Sequence, residues 1–153
     1  MKEFTVRVVP DSSRPIVSVY GMDALIDTGA DVPVVSVMAI DFLIDRFHAK
    51  TVLKDAKIRG FGGEEHGDVL VIDQFVFGDL VFPNMHVFVP KRTLAFPFVL
   101  SASMFNRLVY EIDMKNHAMT VRIPDDESTV RNLLIQQQDG ELYVLCESQK
   151  PKE

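Results

Sequence analysis

Cysteine is almost missing from the chain. Cys146 stands alone among 153 residues, so no intrachain disulfide can form. The opening MKEFTVRVVP also lacks the apolar core of a secretory leader, and together these lead us to expect a reducing cytoplasm. An excess of positive charge is missing too: 16 Lys and Arg stand against 22 Asp and Glu, a net charge of -6. With a pI near 5.2 and no basic cluster, nucleic acid is not an expected partner. Apolar runs are short, as at residues 95–100 where Pro97 intervenes, which excludes a membrane-spanning helix. His48, His66, His86 and His117 are scattered, without a His-x-x-x-His or Cys-x-x-Cys spacing, so neither a metal site nor a cofactor is expected. Gly60-Phe61-Gly62 begins like a dinucleotide fingerprint, but Glu65 replaces its third glycine and would repel phosphate. A Gly-x-Ser-x-Gly elbow is missing, and Cys146 reads as a half-buried strand residue rather than a nucleophile.

What is present is a chain of 47% hydrophobic residues, enough for one core and one domain. Strand-like segments dominate. Residues 4–9 and 16–20 flank the turn-rich PDSSRP and predict a hairpin. Further strands are expected at 51–59, 67–78, 80–89 and 107–123, the last broken at Lys115-Asn116. Val37, Ile40, Leu43, Ile44 and Phe47, with Ser36 as N-cap, predict one helix of about three turns, and SASMFN at 101–106 predicts a short helical turn. Asp125-Asp126-Glu127-Ser128 reads as a solvated connector. Beyond it, LLIQQQ and ELYVLC flank Asp139-Gly140, a strong local hairpin signal. The eleven phenylalanines are expected in the core and at an interface.

One stretch does not fit a purely structural chain. In ALIDTGADVPVVS, residues 24–36, two apolar runs enclose Asp27-Thr28-Gly29, although an unpaired buried carboxylate costs several kcal/mol on the order-of-magnitude scale. The triplet alone is weak, arising by chance about a few times in a hundred chains of this size. In the plain reading Asp27 caps a turn for which Gly29 supplies the backbone freedom. The apolar runs on both sides sharpen the signal, and the triplet occurs once, with no internal repeat.

ALIDTGADVPVVS resembles the active-site segment of the retropepsin-like aspartic proteases, the single-domain relatives of pepsin. Ile58-Arg59-Gly60-Phe61-Gly62-Gly63 is similar to the glycine-rich tip of their flap hairpin, the plain alternative being an ordinary turn. Tyr110-Glu111-Ile112-Asp113-Met114-Lys115-Asn116 is similar to their closing hairpin. The resemblance covers about residues 4–123. It implies an all-β, single-domain closed barrel with one helix and a short helical turn, working as a dimer. Residues 1–123 would form the protease domain. Residues 124–153 would be a C-terminal extension carrying a β-hairpin, either part of that domain or of the dimer interface. Two departures stand out: Ser101 occupies the place of the family's glycine in Phe98-Val99-Leu100-Ser101, and the arginine that follows that glycine in retroviral members is missing.

The resemblance further implies a homodimeric aspartic endopeptidase. Asp27 would meet Asp27 of a second copy, the pair sharing one proton and activating a water against a peptide bond. Asp27, Thr28 and Gly29 would be the catalytic triplet, with Gly29 donating its N–H to the carboxylate and Thr28 bonding across the dimer axis. Ala30, Asp31, Gly60, Phe61, Gly62 and Gly63 would contact an extended peptide or protein substrate. Asp31 would either bind substrate amides or pair with a cation at the dimer edge. Val32, Val34, Ile58 and Leu100 are candidates for pocket walls or core. Because Ala30 offers no hydroxyl to an ionised dyad, activity is expected at mild acidity, roughly pH 5 to 6. The rival reading, prompted by Ser101 and by the charged Glu64, Glu65 and His66, is a catalytically weak or inactive dimerisation or peptide-binding module.

Overall fold

The computed structural model describes residues 1–60 and 63–149. Its elements run β1 (Lys2–Arg7), β2 (Ile16–Val19), β3 (Met22–Asp27), β4 (Val34–Val35), a 3-10 turn (Val37–Ala39) and α1 (Ile40–Phe47). There follow β5 (Lys50–Gly60), β6 (Gly63–Phe77), β7 (Leu80–Pro90), β8 (Phe98–Ser101) and a second 3-10 turn (Ala102–Phe105). The chain closes with β9 (Val109–Asp113), β10 (Ala118–Ile123), β11 (Arg131–Gln138) and β12 (Glu141–Ser148). Among the described residues the strands form a three-stranded sheet, β1-β10-β9, and a nine-stranded one. The larger sheet follows the open path β12-β11-β7-β4-β8-β3-β2, with the β5-β6 ribbon joined to β7. The molecule is mostly β, as the alternating sequence pattern leads one to expect.

The helix begins where expected, since Ser36 Oγ accepts from the Met38 N–H at 3.4 Å. Its first turn is 3-10, however, and only the next eight residues are α-helical before His48, at φ 52°, ends them. A 3-10 turn advances each residue further around the axis than an α-turn does. Val37 therefore leaves the apolar stripe, and Val37 and Ile44 are exposed while Leu43 and Phe47 are fully buried. Phe47 packs edge-on against Tyr20, with ring centroids 4.9 Å apart.

The hairpin expected from residues 4–9 and 16–20 is not the main pairing. β1 pairs with β10 from Lys2↔Ile123 to Arg7↔Ala118, β2 pairs with β3, and the two segments meet only at the Val8↔Val17 bridge. Proximity in sequence lost to burial: Phe4 finds the edge of Phe77, 6.1 Å away between centroids. The break at Lys115-Asn116 is as read from sequence. Asp113 holds it, its carboxylate accepting from the backbone N–H groups of Lys115 and Asn116 at 3.1 and 2.9 Å.

The C-terminal hairpin turns at Asp139 (φ 52°) and Gly140 (φ 79°), the double positive φ that tight hairpins need. β11 runs parallel to β7 through Leu133↔Met85, and Leu133 and Cys146 lie in the main core. Cys146 is more buried than a half-exposed strand residue, at 5% exposure. Burial pushes its thiol pKa up, which suits packing rather than nucleophilic chemistry.

Two polar contacts fasten this hairpin. The Ile135 N–H donates to His86 Nδ1 at 3.0 Å, and burial holds the imidazole below its ordinary pKa of 6.5. Protonation is thus easier in the unfolded chain. The contact stabilises above about pH 6.5 and is lost as pH falls through the lower folded value. Relative to its intrinsic rate at each pH, amide exchange at Ile135 should lose protection between pH 7 and 5 while Leu145 keeps its own, and His86→Leu should abolish that pH dependence. The second contact corrects the expected solvated connector: Glu127 is only 5% exposed at its side chain and accepts hydrogen bonds from Arg107 and Ser148. Fully buried Arg131 lies 3.8 Å from the same carboxylate and donates to the Asn106 carbonyl.

Candidate active site

Asp27 is the last residue of β3. The loop after it does not lead to a neighbouring strand, because β8 lies between β3 and β4, parallel to the first and antiparallel to the second. The loop must therefore cross the end of β8, and it is pinned on the way. Ala30 N–H donates to Asp27 O at 3.1 Å, Ala102 N–H donates to Ala30 O at 3.1 Å, and Phe88 N–H donates to Pro33 O at 2.9 Å. Ala24, Leu25 and Ile26 before the triplet and Val34 and Val35 after it supply the strands, and the crossing leaves the triplet at the end of β3.

Asp27 is half-buried, and its Oδ1 accepts the Gly29 N–H at 3.0 Å. A Cβ built on Gly29 would stand 3.4 Å from that oxygen, an ordinary contact, so Asp27 by itself does not impose glycine there. Thr28 is exposed and Asp31 is exposed, while Ala30 is half-buried.

Ser101, the departure from the family pattern, lies in register with Asp27 on β8. It is fully buried, and its hydroxyl is 2.6 Å from that of Ser103. A small side chain with an internal hydrogen-bond partner is accommodated there without an unsatisfied polar group. Arg107 is committed to Glu127 and Asp126.

A cleft of about 1130 Å³ opens above the triplet, with Asp27, Gly29, Ala30 and Asp31 in its lining. Thr28 does not line it. Val32, Val34 and Ile58 do, but of β8 it is Val99 that faces the cleft. Leu100 is 1% exposed and belongs to the core, because side chains alternate along a strand. The β5-β6 ribbon forms the opposite wall. Gly60 and Gly63 pair at its end, Gly63 with φ 103°, whereas Phe61 and Gly62 lie outside the described residues. Lys57 lies 3.7 Å from Glu64, and Arg92 bonds Glu65, so part of the ribbon's charge is neutralised locally. Among the described residues no group of three His, Cys, Asp or Glu side chains is arranged to hold a metal.

The structure is similar to the crystal structure of a retropepsin-like aspartic protease from Rickettsia conorii, with a TM-score of 0.50. The match covers 78% of this chain and 89% of that one, at 15% identity. The fold is retropepsin-like. No protein-family model and no curated protein sequence matches the chain. Within this retropepsin-like fold the strand order carries the chain from Asp27, the last residue of β3, past the end of β8 to β4, and so leaves Asp27 in the lining of the cleft.

Sequence reasoning missed one wall of the cleft. Gln137, Asp139, Glu141, Leu142, Val144 and Cys146 of the C-terminal hairpin line it together with Asp27. Local sequence gave no sign of it, because Leu142 to Cys146 is a continuous apolar run in which only the structure, exposing Tyr143 and Leu145 and burying Cys146, separates two faces.

Proposed function

We propose that the chain is one protomer of a homodimeric aspartic endopeptidase. The observation that carries this reading is the half-buried Asp27, its Oδ1 bonded to the Gly29 N–H at 3.0 Å, on a cleft of about 1130 Å³ in a retropepsin-like fold. One chain supplies one such aspartate, so a two-fold pairing is needed to bring a second carboxylate beside it. Two carboxylates about 3 Å apart share one proton, which divides the work between them. The ionised member takes a proton from a water as it attacks the peptide carbonyl, and the protonated member hydrogen-bonds the carbonyl oxygen and then helps protonate the leaving nitrogen. No cofactor enters this chemistry.

The neighbours take roles consistent with that division. Thr28 is exposed in the single chain, leaving its hydroxyl available to a second copy. Gly29, Ala30 and Asp31 face the substrate from the floor, and Gly60, Phe61, Gly62 and Gly63 would close over it as a flap that excludes water.

The test is cleavage of a peptide library by the purified protein over a range of protein concentrations near pH 5.5. Specific activity should rise with concentration, approaching a plateau as dimer forms, and a statine-containing peptide should inhibit as a mimic of the tetrahedral state. A strictly monomeric protein that cleaves at constant specific activity would refute the shared dyad.

A further inference from the structure

β12 ends the larger sheet, and among the described residues β11 is its only strand partner. The direction of its free edge follows from register. Gln138↔Glu141 closes the turn and Gln137↔Leu142 comes next. In a hairpin with a two-residue turn the closing pair exchanges hydrogen bonds, and the pairs then alternate. Tyr143, Leu145 and Glu147 therefore turn their backbone groups towards β11, whereas Leu142, Val144 and Cys146 turn theirs away. An independent contact agrees: Asn106 Nδ2 donates to the Cys146 carbonyl from outside the hairpin at 3.2 Å. Asn106, Leu142, Val144 and Cys146 all line the cleft that holds Asp27. The outward N–H and C=O groups of Leu142 and Val144 thus form a strand edge beside the cleft, and such an edge is a template for another strand.

Charge narrows the occupant. Asp27, Asp31, Asp139 and Glu141 line the same cleft and, among the described residues, enter no ion pair, whereas Lys57 and Arg92 are paired with Glu64 and Glu65. Arg59 stands on the far wall towards the ribbon tip. The β12 side of the cleft, with Asp139 and Glu141 at the head of the strand and Asp31 on the floor, is acidic.

We infer that the free edge of β12 is a docking rail for an extended basic peptide, which adds as a strand beside Leu142 and Val144 and sets lysine or arginine side chains against Asp31, Asp139 and Glu141. This deepens the proposed function and rests on it for the identity of the peptide as substrate, but docking itself requires no cleavage.

The experiment uses the full chain carrying Asp27→Asn and a short fluorescent peptide alternating apolar residues with lysine, read by anisotropy. Two versions of the peptide are N-methylated on alternate amides, one in each frame. Strand addition predicts that one frame weakens binding by roughly tenfold and the other leaves it unchanged. Leu142→Pro, which removes an N–H that β11 does not use, should weaken binding similarly, and replacing lysine by glutamate in the peptide should also weaken it. Equal binding in both frames would overturn the rail, as would indifference to lysine against glutamate. So would a Leu142→Pro variant that loses self-association while still binding peptide, since the edge would then belong to a second copy. Frame-dependent binding without cleavage by the native protein would remove the protease reading alone, while cleavage with frame-independent binding would remove only the rail.

Discussion

Changing Asp27 to asparagine should lower peptide hydrolysis by about a thousandfold or more, within the range associated with losing a positioned acid or base. The substitution is well suited to separate chemistry from folding. Asparagine has the same shape, and its side-chain carbonyl can keep the bond that Asp27 Oδ1 accepts from Gly29 at 3.0 Å. It cannot take a proton from water or share one with a second carboxylate. Thermal melting should therefore stay close to that of the parent while turnover disappears. Mixing gives a second readout. If native and variant chains exchange freely in equal amounts, only about a quarter of dimers carry two aspartates, so activity should fall to about a quarter of an equal quantity of all-native dimers. A fall to one half would mean that each chain works alone.

Changing Glu127 to alanine should cost about 3 kcal/mol of stability, near the lower end of the range for breaking a buried ion pair. In a domain of this size that corresponds to a fall in melting temperature of roughly 6 to 12 °C. The side chain lies at 5% exposure beside Arg131, which is fully excluded from solvent, and Arg131 Nε has no hydrogen-bond partner even with Glu127 present. Without the carboxylate the buried guanidinium loses its ion-pair partner among the described residues and keeps only neutral ones, the Asn106 carbonyl and the Ser148 hydroxyl. The pH dependence follows from the same contacts. The hydrogen bond from Ser148, then that from Arg107, and the charges of Arg107 and Arg131 lower the Glu127 pKa from its ordinary value of 4.5, against opposition from burial. A carboxyl whose folded pKa is depressed stabilises above its unfolded value and loses that contribution as pH falls through the folded one. The native protein should therefore lose melting temperature on acidification below about pH 4.5, and Glu127→Ala should lose less over the same interval. Equal acid sensitivity in the two proteins would assign the effect elsewhere, for example to Asp113, whose pKa is also lowered, first by the hydrogen bond from the Asn116 backbone.

The contrast between Asp27 and Glu127 shows what can be read before folding. Asp27 stands out because apolar residues flank it on both sides, and that pattern is local. Glu127 sits in Asp125-Asp126-Glu127-Ser128, a run that any local rule assigns to solvent. Its burial depends on Arg107, Arg131 and Ser148, three residues brought together by three different parts of the chain. Ser101 is similar. Its identity raised a doubt about the loop behind Asp27, and only the β3-β8 register and the hydroxyl of Ser103 supplied its surroundings.

Locally encoded features came from the sequence by itself: the strand alternation, the N-cap at Ser36, the turn at Asp139-Gly140, and an aspartate set between two apolar runs. Each involves residues within a few positions of one another, where backbone preference and side-chain period act directly. Tertiary structure decided the rest. It sent β1 to β10, as in the Thr5 and Thr120 hydroxyls 3.2 Å apart across 115 residues of chain, and it set β12 against the cleft of Asp27. Such pairings are chosen by which apolar faces can be buried together, and that choice is made by the whole chain at once rather than by any segment of it.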